Sequence, residues 1–391
     1  MIPDTVRRPA FAASRLARRM AGATALALGL AAAPAVAQEG GLPDRMMWSA
    51  YDVGSSGYAQ AAAVSDALTT EHGTRVRIMP SGTSIGRLLP LKTGRVEYGW
   101  LANEVYFATE AIHDFAAREW GPQDLRVLMG KPSSYGIAVA ADSGIETIAD
   151  LEGKRIARVT ANPSLNIKNE AILAFAGLSW DDMEVVEVPG YAQSIRAVIE
   201  GRADAAGGVP GSSLFRELEA SNRGIHWLDI PADNEAGWER LRSIASFFAP
   251  TNETVGAGIS EEDPAQLIAY RYPMITVYAS ADEDEVYAMT RAMIDSYDAY
   301  KDATAVMPRW EVGEAGVPPA DAPFHPGAIR ALKEAGVWTE AHDAWNAARL
   351  ERLNAVMEAW ETASEEAFDE NISDSDWPAF WAERRAELLG G

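Results

Sequence analysis

The chain has 391 residues, of which 48% are hydrophobic, and it contains no cysteine. It is long enough to bury a large core and to divide into two lobes, and the lack of thiols excludes disulfides, thiolate catalysis and cysteine-based metal sites. The formal net charge is -23, which argues against nucleic acid as a partner because such binding neutralises phosphates with Lys and Arg.

The N-terminal segment has the pattern of an export signal. Five arginines within residues 1–19 precede an apolar run at 21–33, and Ala35-Val36-Ala37 fits a small-x-small cleavage site. We expect cleavage after Ala37 and a periplasmic protein, by Sec export as the default, with twin-arginine export left open. Cleavage removes five Arg and one Asp, so the net charge becomes -27. No later stretch approaches the roughly 20 apolar residues of a membrane span, so the mature chain is not expected to span a membrane.

From Met46 onward, strands, polar turns and helices alternate along the chain. Pro80 is expected to end the second strand because it has no N–H to donate. Alternating β and α units predict parallel sheets, with ligands bound beyond the carboxyl ends of the strands. Strands are predicted at 46–51, 75–79, 98–101, 125–129, 135–141, 155–160, 184–188 and 203–207, and helices include 58–70, 192–200 and 284–302.

The region from 328 to 389 is predicted to be mostly helical and carries several tryptophans. Aromatic residues at such spacings usually pack in a core or between helices. A contact with a second copy or with a membrane permease is the alternative.

Polar turns rich in glycine and hydroxyl groups precede several predicted helices, at 52–57, 81–84 and 161–164. A helix N-terminus has free N–H groups and about half a positive charge, so it favours an anion, although one such turn alone is usually only a cap. Repetition in both halves favours a cleft for a small anion. The sequence leaves open whether a nearby basic residue contacts it, the candidates being Arg87, Lys131, Arg158 and Lys168.

Residues 82–86 match the G-x-S-x-G motif of serine hydrolases, between a predicted strand and a helix. The motif is short, and the histidines that follow it show no clear relation to a catalytic triad. An exported hydrolase using Ser84 is therefore the alternative to a non-enzymatic interpretation. No metal-ligand spacing, phosphate loop or dinucleotide fingerprint is present, and no cofactor or metal is predicted.

An ordered series of motifs lies at 54–58, 81–84, 148–155, 201–205, 324–328 and 334–337. With the export signal, this series resembles the TAXI family, the extracytoplasmic solute receptors of one class of TRAP transporter, over about residues 46–338. The resemblance implies an α/β, type II-like periplasmic-binding-protein fold with two lobes, each a mixed sheet flanked by helices. It further implies capture of a small organic acid, a dicarboxylate or amino acid such as 2-oxoglutarate or glutamate, and its delivery to TRAP membrane permease subunits. A receptor that presents its ligand to a sensor protein instead of a permease is an alternative that the sequence leaves undecided.

The resemblance also implies a division of the chain and a set of ligand contacts. The expected parts are a signal peptide at 1–37, lobe I at 38–134, lobe II at 135–228, the second part of lobe I at 229–337 and a helical C-terminal extension at 338–391. Residues 162–168 lack the glycines that the family has there, so a different ligand is an open alternative. The expected ligand-binding residues are Ser55, Ser56, Tyr58, Ser81, Thr83, Ser84, Asn103, Tyr135, Asn162, Ser164, Asn166 and Tyr191.

Overall fold

The computed structural model describes residues 41–390, so the predicted signal peptide at 1–37 lies outside the described residues. The strands are β1 Arg45–Tyr51, β2 Arg75–Ser81, β3 Tyr98–Leu101, β4 Leu125–Val139, β5 Arg155–Val159, β6 Glu184–Val188, β7 Ala205–Gly208, β8 His226–Trp227, β9 Ala249–Glu253 and β10 Ala265–Tyr278.

Thirteen helices of this part of the chain flank the strands, together with short 3-10 turns. No helix within residues 41–390 has both the length and the apolar character that a membrane crossing needs. The helices are α1 Ser56–His72, α2 Ser84–Lys92, α3 Glu104–Glu110, α4 Pro163–Phe175, α5 Tyr191–Ile199, α6 Ser213–Ala220, α7 Glu235–Ile244, α8 Glu283–Asp295, α9 Tyr297–Tyr300, α10 Val312–Ala315, α11 Pro326–Glu334, α12 Glu340–Asp369 and α13 Trp377–Leu389.

The strands form one mixed sheet in the order β2-β1-β3-β10-β4-β7-β5-β6, with β8 against β4 and β9 against β10. The strands β1, β2 and β3 are parallel to one another, as are β5, β6 and β7, while β4 and β10 run antiparallel to their neighbours. The predicted mixed α/β fold with helices around a multi-stranded sheet is therefore confirmed. The parallel strands of each half bring their following turns to one edge.

Two long antiparallel strands at the centre of the sheet differ from the prediction. The sequence predicts two strands separated at 130–134, but β4 is continuous, and residues 132–135 pair with β10. The strand β10 was not predicted. Pro273 interrupts its pattern, and the structure accommodates this proline at a register shift between Arg271 and Met274. The division into lobes stays a prediction.

The prediction that Pro80 ends β2 is wrong, because the strand continues to Ser81. Pro80 lies opposite Ala50 of β1, and β2 is the end strand of the sheet. An edge strand has one side without a partner, where a residue that lacks an N–H is tolerated. The polar turn at 81–84 therefore starts level with the end of β1.

The tryptophans of the C-terminal extension pack inside the molecule. The indole N–H groups of Trp377 and Trp381 donate to the carbonyls of Ala116 and Ala111, at 2.8 and 2.7 Å. Both side chains are buried against α12 and the segment after α3. The prediction of helix-helix packing is confirmed for these residues.

A buried ionic cluster joins the extension to α3. Glu110, at the end of α3, accepts hydrogen bonds from Arg349, Arg352 and Arg385, with N···O distances of 2.9, 2.9 and 2.6 Å. Burial opposes ionisation of Glu110, but the three guanidinium groups hold its pKa below the ordinary value. The cluster is therefore a fully ionic anchor for α12 and α13.

We expect Glu110→Ala to lower the free energy of unfolding by about 3–5 kcal/mol, because it leaves three arginines without their shared carboxylate. Urea denaturation of the mature chain measures the loss. The control is Glu361→Ala, an exposed position on α12, for which a change within about 0.5 kcal/mol is expected. Equal effects of the two variants would contradict the anchoring role.

Candidate functional site

A cavity of about 40 Å³ lies where the ends of β1 and β3 meet the first turns of α4 and α5. This volume holds about three water molecules. Its polar lining consists of Asp52, Arg87, Asn162, Ser164 and Lys168 and of five tyrosines, Tyr51, Tyr135, Tyr191, Tyr270 and Tyr272.

The turn at Gly82 closes one side of the cavity by direct contact with the opposite turns. The carbonyl of Gly82 accepts from the Tyr191 N–H and from Asn162 Nδ2, both at 3.2 Å. A Cβ at Gly82 would lie 2.9 Å from Asp52 Oδ2 and 3.2 Å from the Gly190 Cα. Glycine is therefore required at this position by the close approach of the chain.

The helix N-termini around the cavity are capped by side chains of the protein itself. The side chains of Ser55, Thr83 and Asn162 accept from the first turns of α1, α2 and α4. Asp52 Oδ2 accepts from the Ala192 N–H of α5 at 3.3 Å.

A second N–H of each of these helices is also engaged. The N–H groups of Gly57, Ile85, Ser164 and Tyr191 donate to Tyr272 Oη, the Ala161 carbonyl, Ser84 Oγ and the Gly82 carbonyl. Eight N–H groups at these four helix ends therefore have partners within the protein, and a role of the helix ends in holding an anion stays a prediction.

Lys168 supplies the cationic group of the cavity. It is 3% exposed, and its ammonium donates to Ser164 Oγ at 2.9 Å and to Asn103 Oδ1 at 3.1 Å. The rings of Tyr270 and Tyr135 lie 4.8 and 5.1 Å from Nζ. Burial lowers the pKa of Lys168 to about 7. Ser164 and Asn103, both neutral, are its hydrogen-bond acceptors among residues 41–390, and an ammonium has three N–H groups, so one donor is left for a ligand.

Asn103 links Lys168 to a buried carboxylate behind the cavity. Its Nδ2 donates to Asp321 Oδ2 at 2.7 Å, which fixes the amide so that Oδ1 faces the ammonium. Burial raises the pKa of Asp321 to about 6. Asn103 stands directly before α3 but its side chain does not cap this helix, because these two partners use its amide.

Arg87 is the second cation at the cavity, and a carboxylate already neutralises it. Its Nε and Nη2 donate to Glu104 Oε1 at 2.9 and 2.8 Å, and both side chains are buried. The Tyr51 ring lies 4.2 Å from the guanidinium carbon. Arg87 is thus a structural part of the cavity wall.

Four of the predicted ligand-binding residues line the cavity: Tyr135, Asn162, Ser164 and Tyr191. Ser84 and Asn103 touch lining residues, since Ser84 Oγ donates to Asn162 Oδ1 at 2.5 Å and Asn103 accepts from Lys168.

The other predicted residues do not line the cavity. Ser55 and Thr83 cap helices, Ser56 Oγ accepts from Gln60, and Ser81 lies beside Thr83. Asn166 lies two residues from Ser164 and therefore on the other side of α4. Its side chain forms hydrogen bonds with the main chain of Val159 instead. Tyr58 is half-buried on α1.

Two of the basic residues that the sequence left open lie away from the cavity. Arg158 is about half exposed and faces Glu187 at 3.6 Å. Lys131 is a buried residue of β4 that donates to the carbonyl of Pro132 at 3.2 Å, and burial lowers its pKa to about 7.

Sequence reasoning missed five further residues around the cavity: Tyr51, Asp52, Glu104, Tyr270 and Tyr272. One signal was available in the pattern, because Tyr51 and Asp52 stand directly at the end of the first strand. The two tyrosines of β10 were missed together with the strand.

Ser84 shows no catalytic pairing in the part of the chain described. Its hydroxyl contacts Asn162, the Ser164 N–H and Arg87, and none of these partners is a histidine. A larger cavity of about 640 Å³ lies against β9 and β10. Its Arg309 is paired with Glu253 at 2.5 Å. The small cavity is the candidate site because four of the predicted ligand-binding residues line it.

The fold is thus a mixed α/β sheet with a small polar cavity where its polar turns meet. Residues 52–336 match the model of the NMT1-like family, and the chain belongs to this family.

Several solved structures have a similar arrangement. A protein from Bordetella bronchiseptica RB50 has 17% identity and a TM-score of 0.46, with 77% of this chain and 92% of that chain covered. The MOPS-bound alkanesulfonate-binding protein of Xanthomonas axonopodis pv. citri has 16% identity and a TM-score of 0.42, with 75% and 91% covered. An ancestral arginine-binding protein bound to arginine has 12% identity and a TM-score of 0.42, with 69% and 99% covered.

Burial of Lys168 predicts that the ligand-free protein becomes more stable as the pH rises from 7 to 9.5. The folded state holds this proton less tightly, with a pKa of about 7 against an ordinary 10.5, so the unfolded state binds more protons in that interval. The slope from one such lysine approaches about 1.4 kcal/mol per pH unit, and Lys131 adds a similar share.

Lys168→Met is therefore expected to reduce the slope by about half, whereas Lys154→Met, at an exposed position, leaves it unchanged. Urea denaturation at a series of pH values measures both slopes. A slope in Lys168→Met equal to that of the parent protein contradicts the deprotonation of a buried lysine.

Proposed function

We propose that the chain is an extracytoplasmic receptor that captures a small organic acid and delivers it to the permease subunits of a TRAP-type transporter. Membership of the NMT1-like family, the resemblance to TAXI receptors and the export-signal pattern support this assignment. The observation that carries the ligand class is the buried ammonium of Lys168 at the cavity, with neutral oxygen partners and a spare N–H.

Binding follows from the chemistry of that ammonium. A carboxylate placed beside Lys168 replaces the missing counter-charge and accepts a charge-assisted hydrogen bond in surroundings from which water is largely excluded. The nearby tyrosines, including Tyr135 and Tyr270, cover the apolar part of a short ligand. The contacts of Gly82 with Asn162 and Tyr191 hold the cavity shut, so release requires them to break. Opening about a hinge between two lobes supplies such a step.

The first test is a calorimetric screen of the mature chain, from Gln38, against small carboxylic acids. Glutamate and 2-oxoglutarate belong in it, because the resemblance to TAXI receptors implies them. Lys168→Met is expected to weaken binding of any acid found at least tenfold, the smallest loss typical of a charge-assisted hydrogen bond. Lys154→Met is the matched control and is expected to leave the affinity unchanged.

A second test uses the proton linkage of the same lysine. A bound carboxylate favours the charged ammonium, so it raises the pKa of Lys168 from about 7 and binding takes up a proton near pH 8. The affinity is expected to fall as the pH rises above 7, by up to tenfold per pH unit. Calorimetry in buffers of different ionisation enthalpy counts the protons, and Lys168→Met is expected to abolish the uptake.

Binding of a neutral or cationic solute, with no measurable binding of any acid, would overturn the proposed ligand class. Turnover of an ester, lost in Ser84→Ala, would instead favour the hydrolase. Copurification of the mature chain with a TRAP permease, dependent on the acid, tests the proposed partner.

A further inference from the structure

The charged groups around the cavity are more often negative than positive. Lys168 and Arg87 are the cations, while Asp52, Glu104 and Asp321 are the carboxylates. An acid with two carboxylates needs two available cations or an equivalent set of donors. The balance of charge therefore bears directly on which acids fit.

Arg87 already has a carboxylate partner. Two of its nitrogens bond the same oxygen of Glu104, and both side chains are nearly inaccessible to solvent. The other oxygen, Glu104 Oε2, is buried and has no hydrogen-bond partner among residues 41–390. A ligand carboxylate placed here would lie against this unpartnered oxygen of Glu104.

Asp52 lies at the N-terminus of α5, where the helix end would stabilise a second anion. Its Oδ2 accepts from the N–H of Ala192 in the first turn of α5, and the residue lines the cavity. The adjacent Tyr191 N–H is engaged by Gly82. The favourable end of α5 is thus filled by a carboxylate of the protein, which repels a second anion.

We propose that the cavity selects acids with a single carboxylate and rejects dicarboxylates, with Asp52 as the specificity-determining residue. This inference rests on the proposed function and makes its ligand class narrower. The ligand carboxylate pairs with Lys168, and the remainder of the ligand is uncharged where it approaches Asp52 and Glu104. The small volume of the cavity, about 40 Å³, favours short acids over long ones.

Pairs of acids that differ only in the second charge test the proposal. Succinate and succinamate have the same shape, as do malonate and malonamate, and in each pair an amide replaces one carboxylate. In calorimetry at pH 7 each monoamide is expected to bind the parent protein at least tenfold more tightly than its diacid. Acetate, propanoate and pyruvate complete the panel.

The variant Asp52→Asn keeps an oxygen that can accept from the Ala192 N–H but removes the negative charge. It is expected to strengthen binding of succinate and malonate at least fivefold and to change the monoamide affinities less than twofold. Asp150→Asn is the charge-matched control at an exposed position and is expected to change neither. Thermal melts of the variants verify folding.

The outcomes separate this inference from the proposed function. Diacids that bind the parent protein as tightly as their monoamides, or more tightly, overturn the selection while the organic-acid receptor stands. Tenfold selection that persists unchanged in a folded Asp52→Asn protein overturns the role of Asp52. Failure of every acid in both panels to bind overturns the proposed function and this inference with it.

Discussion

The polar main-chain groups at the helix ends around the cavity have to be satisfied, and the protein satisfies them with its own atoms. Ser55, Thr83, Asn162 and Asp52 each accept an N–H from a helix start. Other N–H groups of the same turns donate across the cavity, as from Tyr191 to the Gly82 carbonyl. These hydrogen bonds close and order the site. Because they already engage the helix-end N–H groups, the proposed recognition of charge depends on side chains.

In the proposed function, Lys168 recognises the charge of the ligand. Its own hydrogen-bond acceptors are neutral, and the other cation at the cavity, Arg87, is already paired with Glu104. The ammonium of Lys168 lies over the rings of two tyrosines and donates to Ser164 and Asn103, and Asp321 orients Asn103 from behind. A buried ammonium without a full counter-charge is costly, and its lowered pKa expresses this cost. A carboxylate ligand relieves it, so the same arrangement that reduces the stability of the empty protein favours binding.

The sequence pattern predicted most strands and helices because their alternation depends on local residue order. The prediction failed where the local structure depends on contacts with residues that are distant in sequence. Pro80 is tolerated because β2 is an edge strand, a property of the whole sheet. Pro273 interrupts the sequence pattern of β10, so this strand was not predicted. The register shift in its pairing with β4 accommodates the proline.

The candidate site was predictable to a similar extent. Turn residues such as Asn162 and Tyr191 follow strands and could be named, whereas nothing local separates buried Lys168 from exposed Arg158. Asn103 has the residue type and position of a helix cap, but its partner Asp321 is 218 residues away in sequence. Its role therefore depends on tertiary contacts that a turn motif does not contain.

The C-terminal extension lies beyond the family match at 52–336, yet it is coupled to the cavity through α3. Glu104 at the start of this helix pairs with Arg87 at the cavity, and Glu110 at its end is held by arginines of the extension. A carboxylate at a helix C-terminus is disfavoured by the helix dipole, so the arginines offset an unfavourable position. Arg349 also donates to the Asp321 carbonyl at 3.1 Å, behind Asn103. The extension therefore braces the wall that orients Lys168, and its packing and the geometry of the ligand site depend on the same short helix.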